Sequence, residues 1–299
     1  MKVYLGLPRG FCAGVVRAID VVALALNRYG PPIYVKHQVV HNPHVVESLE
    51  SKGAVTVEHV NEIPVGATVV FSAHGSPPSD FADAKSRKLR VIDATCPLVT
   101  KVHNEAHKYS GEGRQLILIG HRGHQEVKGS MGQEQMYLLD DREELELPEW
   151  SSDTPVTVLT QTTLSVDDTE NAVEHIKNSF SNVVVRNDLC YATTNRQVAV
   201  KKLCKLVELI LVIGAPNSSN CNRLKEVAES QGINAYLING PGELDKEWLR
   251  DIENVGITSG ASTPDELVNS VVAEIGAEEV TVMDGVEEDV NFVLPPEIA

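Results

Sequence analysis

Nine times along this chain a short β-branched run ends in a cluster of Cys, His, Ser, Thr, Asn and Gly that leads into a helical pattern. The clusters read PRGFCAG, HQVVHNPH, SAHGSPP, DATCPL, GHRGHQEV, TQTTLS, DLCYATTN, GAPNSSNCNR and TSGAST. Short runs alternating with helical patterns argue for α/β units with largely parallel sheets. The expected strands are 2–7, 33–35, 68–72, 90–92, 115–119, 156–160, 182–185, 209–213, 235–238 and 254–258. The clearest helix follows Cys12, where Val15, Ile19, Val22 and Leu26 recur at helical spacing until Tyr29-Gly30-Pro31-Pro32 stops them. In parallel α/β sheets, ligands sit beyond the carboxyl ends of the strands, where helix N-termini offer N–H groups and a positive dipole end to anions. One such cluster is equally well explained as helix capping. Nine in succession point to a shared site lined from many strand ends.

The composition narrows what such a site serves. With 299 residues, 42% of them hydrophobic, the chain can bury a large core, as two or three domains or one α/β body. Its 42 acidic against 26 basic residues give a formal net charge of -16. Binders of nucleic acid or anionic membrane usually carry the opposite sign, so neither partner is expected. An anionic small molecule stays open, because a pocket can be locally positive inside an acidic protein. The N-terminus MKVYLGLPRGFCAG has no apolar run of signal-peptide length, and the apolar stretch 206–216 is interrupted by Glu208 and too short to span a bilayer. A cytoplasmic location is expected. Five cysteines in that setting are metal-binding, catalytic or buried more often than disulfide-bonded.

Cys12, Cys96 and Cys190 are spaced almost evenly, and each stands at a strand exit. The spacing suggests three α/β modules, 13–96, 97–190 and 191–280, with an N-terminal strand within 1–12 and a tail, 281–299, packing on the body. The acidic 140–149 run reads as a surface connection. Thiolates suit iron–sulfur clusters, zinc or copper(I), but no C-x-x-C pair occurs, and by counting alone three unrelated thiols are the commoner outcome. Position changes the balance, since a helix N-terminus favours the thiolate. Cys12 lies just before its helix. Cys96 precedes Pro97, which suits the first helical position, and Leu98, Val102, Ala106 and Tyr109 form an apolar stripe beyond it. Cys190 precedes Tyr191-Ala192-Thr193-Thr194-Asn195. Cys204 reads as core. His103 and His107 read as a solvated helix face, and His37, His44, His59, His121 and His175 receive no chemical role. Neither G-x-x-x-x-G-K-[ST] nor G-x-G-x-x-G is present, so a nucleotide cofactor has no support.

The strings LPRGFCAGVVRAI, VVHNPHVV, SAHGSPP, DATCPLVTKVH, GHRGHQEV, TQTTLSVDDT, DLCYATTNRQ, NSSN-x-NRL and GITSGASTPD resemble, in order from residue 3 to about 267, the LytB/IspH family of 4-hydroxy-3-methylbut-2-enyl diphosphate reductases. A weaker likeness continues to VNFVLPPEI. The resemblance implies a trefoil of three α/β domains around one 4Fe-4S cluster. It also implies reductive removal of a hydroxyl, with isopentenyl and dimethylallyl diphosphates as products, the last step of the methylerythritol phosphate pathway. Cys12, Cys96 and Cys190 match the family's three ligands, which leave one iron open as a Lewis acid. Glu126 matches the proton donor and Thr162 the hydroxyl that joins its network beside the substrate. His41, His74, His124, Ser218, Ser219, Asn220 and Ser262 match the diphosphate contacts. The family also implies a protein electron donor, ferredoxin or flavodoxin with its reductase. Cys221 departs from the Ser or Thr common at its position, which puts local hydrogen bonding in question, and the chain ends soon after Pro295-Pro296. An iron–sulfur hydro-lyase and a non-catalytic iron–sulfur or zinc regulator are the alternatives.

Overall fold

The computed structural model describes residues 1–299. β1 (Lys2–Leu5) leads into α1 (Ala13–Tyr29), β2 (Ile33–Lys36) into α2 (Pro43–Glu50), and β3 (Ala54–Val57) into a single 3-10 turn. Then come β4 (Thr68–Phe71), α3 (Pro78–Ser86), β5 (Arg90–Asp93), α4 (Pro97–Gly111), β6 (Gln115–Ile119), α5 (Gln125–Met131) and β7 (Met136–Leu139). Next are β8 (Pro155–Thr160), α6 (Val166–Ser179), β9 (Asn182–Val185), α7 (Tyr191–Leu203) and β10 (Leu209–Ile213). The remainder is α8 (Ser219–Ser230), β11 (Asn234–Ile238), β12 (Asn254–Ser259), α9 (Asp265–Ile275) and β13 (Glu279–Val282). Every α-helix starts at one of the nine polar clusters, and the class is α/β as expected.

The strands build three sheets, ordered β3-β2-β4-β5, β7-β6-β8-β9 and β11-β10-β12-β1-β13. All of their pairings are parallel. Three strands were not anticipated, β3, β7 and β13, and each is the edge of its sheet. An edge strand is half-solvated, so it lacks the continuous apolar run that marks a central parallel strand. In β13 all four residues are exposed.

The chain forms two compact units. One comprises Met1–Val15, His41–Val45 and Cys190–Asn291, the other Val16–Val40, Val46–Leu189 and Phe292–Ala299. In the first, alternate residues of the five-stranded sheet point to opposite faces. Val3, Leu5, Leu211, Ile213 and Ile257 pack with Val268 and Val271 of α9. Ile210 and Val212 pack with Val200 and Leu203 of α7 and Leu224 and Val227 of α8. Burying each such side chain contributes about 1.5–3 kcal/mol. In the second unit, Ile117, Ile119, Val156 and Val158 meet Ala172, Val173 and Ile176 of α6. On the opposite face, Leu116, Leu118 and Leu159 meet Val102, Ala106 and Tyr109 of α4. Val99, not Leu98, completes the buried face of α4.

The acidic 140–149 run is not wholly a surface connection. Asp140 is buried, where it accepts hydrogen bonds from the Arg122 and Arg142 amides and the Arg142 guanidinium. Leu145 and Leu147 pack on the core beneath. No helix is long and apolar enough to cross a membrane.

Candidate active site

The first unit holds Cys12, His41, Cys190, Ser218, Ser219, Asn220 and Ser262. Ser218 caps α8, its Oγ accepting from the Cys221 amide at 3.4 Å, so Ser219 and Asn220 form the first turn at the helix's positive end. Asn220 Oδ1 accepts from the Ala261 amide at 3.0 Å. Its Nδ2 is buried and has no protein acceptor, which leaves a donor for a ligand. The Ser262 hydroxyl donates to the His41 carbonyl at 3.1 Å, the Cys12 amide to the Ala261 carbonyl at 3.1 Å, and the Gly10 amide to Ser259 Oγ at 2.9 Å. The exits of β1, β2, β10 and β12 are thus tied to one another within this unit.

Cys190 caps α7 through sulfur: Sγ accepts from the Thr193 amide at 3.2 Å, and Thr193 Oγ1 lies 3.0 Å from the same atom. Thr193 was not anticipated, although C-x-x-T at a helix start is a legible capping pattern. Tyr191 Oη accepts from the Ala13 amide at 3.2 Å, bringing the start of α1 beside Cys190. Burial pushes the Tyr191 hydroxyl up to about 12, and Cys12, Glu288 and Cys190 nearby act in the same direction. Cys221 is different. Its thiol is fully buried, pushed up by burial, and belongs to the core beneath α8, wedged between Gly214 and Gly260 where neither has room for a Cβ. It packs behind the Ser-Ser-Asn turn. Cys204 is half-buried at the end of α7 against the same core, as expected.

The second unit holds Cys96, His74, His124, Glu126 and Thr162. Cys96 is the cap residue of α4, with Pro97 behind it, and its amide donates to the Ala73 carbonyl at 3.0 Å. The adjacent His74 ring meets that of His124 edge-on at 6.0 Å. His124 caps α5, its Nδ1 accepting from the Glu126 amide at 3.2 Å, so Nε2 carries the ring proton in the neutral form. Glu126 is only 4% exposed, and its carboxyl accepts from the Thr162 amide at 2.6 Å and the Thr162 hydroxyl at 3.0 Å. Burial lifts the Glu126 carboxyl to about 7, outweighing the two Thr162 bonds that favour the anion, with Asp188 adding to the rise. Cys96, Ala73, His74, His124, Glu126 and Thr162 therefore form one chain of contacts.

Glycines bring α5 onto the His74 loop. A Cβ on Gly129 would lie 2.9 Å from the Gly75 carbonyl oxygen, Gly132 abuts Pro77, and Gln133 Nε2 donates to the Ser76 carbonyl at 3.2 Å. Gly75 has φ +83°, and a Cβ there would meet the His103 ring at 2.9 Å. His103 is thus not the solvated helix residue expected from its spacing. It packs beneath Gly75, and burial pushes its imidazole down to about 4, so it is neutral. His107 does lie on the surface, 2.8 Å from Glu134. Gly129→Ala should gain about 1 kcal/mol of helix propensity but lose ~1–3 kcal/mol to overpacking against backbone. A lowered urea midpoint is the expected net result.

His121, Asp140 and Asp141 also place three ligating atoms within 4.8 Å of one another. His121 lies 3.0 Å from Asp141 and Asp140 is paired with Arg142 at 2.7 Å, so these groups already have partners within the protein. Cys12, Cys96 and Cys190 are better suited to a soft metal: all three are half-buried thiols outside any disulfide, standing immediately before helices.

The family model described as LytB protein matches residues 3–276. The chain is 51% identical to 4-hydroxy-3-methylbut-2-enyl diphosphate reductase 2 of Bradyrhizobium diazoefficiens, over 100% of this chain and 99% of that protein. It is 50% identical to 4-hydroxy-3-methylbut-2-enyl diphosphate reductase of Zymomonas mobilis, over 99% and 89%. Among solved structures, the E-1-hydroxy-2-methyl-but-2-enyl-4-diphosphate reductase from Plasmodium falciparum is similar with a TM-score of 0.94 and 36% identity, covering 99% of this chain and 96% of that one. A structure of (E)-4-hydroxy-3-methyl-but-2-enyl diphosphate reductase, described as the terminal enzyme of the non-mevalonate pathway, is similar with a TM-score of 0.65 and 32% identity, covering 92% and 99%.

Proposed function

The chain belongs to the LytB family, and from that premise we propose that it reductively removes the hydroxyl of 4-hydroxy-3-methylbut-2-enyl diphosphate, giving isopentenyl and dimethylallyl diphosphates. The conversion breaks a C–O bond, forms a C–H bond, consumes two electrons and two protons, and releases water. Membership implies an iron–sulfur cofactor. The finer reading is one 4Fe-4S cluster held by Cys12, Cys96 and Cys190, the last residues of the segments 1–12, 13–96 and 97–190. With three protein thiolates, such a cluster supplies electrons and an iron open to act as a Lewis acid.

The observation that carries this function is a buried acid. Glu126, lifted to about 7 and aligned by Thr162, holds its proton in a substantial fraction of molecules at neutral pH, in a place where water is largely excluded. A protonated carboxyl there can deliver a proton to a departing hydroxyl, which would otherwise leave as hydroxide. Thr162 holds the carboxyl through both its amide and its hydroxyl and relays hydrogen bonding to the substrate. His41, Ser218, Ser219, Asn220 and Ser262, with His74 and His124, supply hydroxyl, amide and imidazole donors for the diphosphate. His124 Nδ1 is occupied by the Glu126 amide, so its Nε2–H is the atom that serves an anion.

Electrons come from a protein donor, a ferredoxin or a flavodoxin with its reductase. An anaerobic preparation assayed with the allylic diphosphate and reduced viologen tests the reaction. Viologen oxidation in proportion to product is expected; loss of water from the substrate without viologen oxidation would instead identify a hydro-lyase. Ala at His74 or Asn220 should weaken diphosphate binding by roughly 10- to 150-fold, the loss of one charge-assisted hydrogen bond of ~1.5–3 kcal/mol, with iron content unchanged. Native affinity in both variants would place the anion elsewhere.

A further inference from the structure

We infer that Arg196 and Glu288 are a positioning pair that fixes the Cys12 and Cys190 loops relative to each other, with the segment after β13 supplying its acidic half. Arg196 lies on α7 and is 0% exposed, the largest fully buried side chain of the chain. Its Nη2 donates to the Gly10 carbonyl at 2.8 Å, two residues before Cys12. Its Nη1 donates to the Ala192 carbonyl at 3.0 Å, two residues after Cys190. A guanidinium is a planar fork whose donors stand at fixed angles, so one rigid group sets the separation of the two loops. Nη1 also donates to Glu288 Oε1 at 3.0 Å and Oε2 at 3.2 Å, and Asn195 Nδ2 donates to Oε1 at 3.1 Å.

A buried guanidinium without a counterion is strongly disfavoured, so Arg196 keeps this place only while Glu288 is present. Glu288 comes from a stretch with no helix or strand of its own. That stretch is moored to the loop by the Met283 amide, which donates to the Leu5 carbonyl at 2.9 Å, and by Gly285, pressed on Leu7 with no space for a side chain. The C-terminal segment therefore braces two of the three cysteine loops from behind.

This role presupposes that Cys12 and Cys190 hold iron, as proposed above. Its test follows anaerobic holoprotein by the rate of iron loss to a chelator, the electron paramagnetic resonance spectrum of the reduced cluster, and the thermal midpoint. Glu288→Ala is expected to speed iron loss by roughly 10- to 100-fold, the range for groups that orient metal ligands, and to alter the spectrum. Replacing both partners, as Arg196→Met with Glu288→Leu, removes the buried charges together and generally preserves folding stability. That double variant still lacks the donors to Gly10 and Ala192, so it should regain the native midpoint while losing iron as fast as Glu288→Ala. Native iron retention in Glu288→Ala, or retention that returns with the midpoint in the double variant, would overturn the positioning role. If Glu288→Ala does not fold, the double variant decides by the same readouts. Cys12→Ser and Cys190→Ser separate the two ideas: full iron in those variants defeats the ligand assignment, whereas iron lost there but kept in Glu288→Ala defeats only the brace.

Discussion

Glu126→Gln should cut turnover by roughly 100- to 10,000-fold, the usual contribution of a general acid, with iron content and substrate affinity near native. The amide keeps the size of the side chain and an oxygen to accept from Thr162, and it has no transferable proton. pH provides a second reading of the same group. The native enzyme works with Glu126 protonated, so its rate should fall about tenfold per pH unit above a point near 7, and the Gln variant should lack that limb. Stability moves in the same sense. The carboxyl titrates near its ordinary value of 4.5 when unfolded and at about 7 when folded. Because the folded value is the higher one, the acid's stabilising contribution is complete below about 4.5 and is lost as pH rises through about 7. Relative to the native chain, Glu126→Gln should therefore gain stability between about pH 4.5 and 7 and hold a constant difference above that, read as a rising urea midpoint. Turnover near the native rate in this variant would move the proton source elsewhere, with Thr162 through water the first place to look.

Replacing Cys12, Cys96 or Cys190 by Ser should strip most of the iron or leave a degraded cluster, and abolish turnover. A serine hydroxyl can still cap a helix, so the loss is of ligation rather than of fold. Cys190→Ser is the most telling case, since the Thr193 amide and hydroxyl that now meet sulfur can meet oxygen instead. Cys221→Ser and Cys204→Ser serve as controls expected to retain iron and most activity, because both thiols pack into core. Iron and sulfide analysis after anaerobic purification reads all five. Full iron and activity in any one of the first three would break the three-ligand assignment, and loss of the cluster in Cys221→Ser would point to a fourth thiolate.

How much of this was legible in the sequence depends on where each constraint originates. Helix starts are local: a cap, a proline or a small polar cluster announces them, and all nine were readable. Three of the six edge strands are not, because AVTV, MYLL and EVTV take their conformation from a neighbouring strand while one side meets water. The i,i+4 pair His103 and His107 shows the limit of periodicity. Spacing put them on one face, but only the close approach of Gly75 decides that His103 is half-buried and His107 is exposed. Arg196 and Glu288 lie still further out of reach. A lone Arg in TTNRQ and a Glu in an acidic tail look solvated until the fold brings them to 3.0 Å.

The place of β1 sets an order of events during synthesis. It is the second strand in from the sheet edge, paired with β12 on one side and β13 on the other, so the first residues made bond only to some of the last. On the ribosome, β1, whose following loop carries Cys12, gains its first neighbour only once the chain has been extended past Ser259 and its second only past Val282. Pairings of such long sequence separation form late and slowly. The loop bearing Cys12 therefore takes its final shape only near the end of translation. A truncated or stalled product would display its cysteines on an unfinished sheet, with no Glu288 to clasp them, and should be cleared rather than loaded with iron.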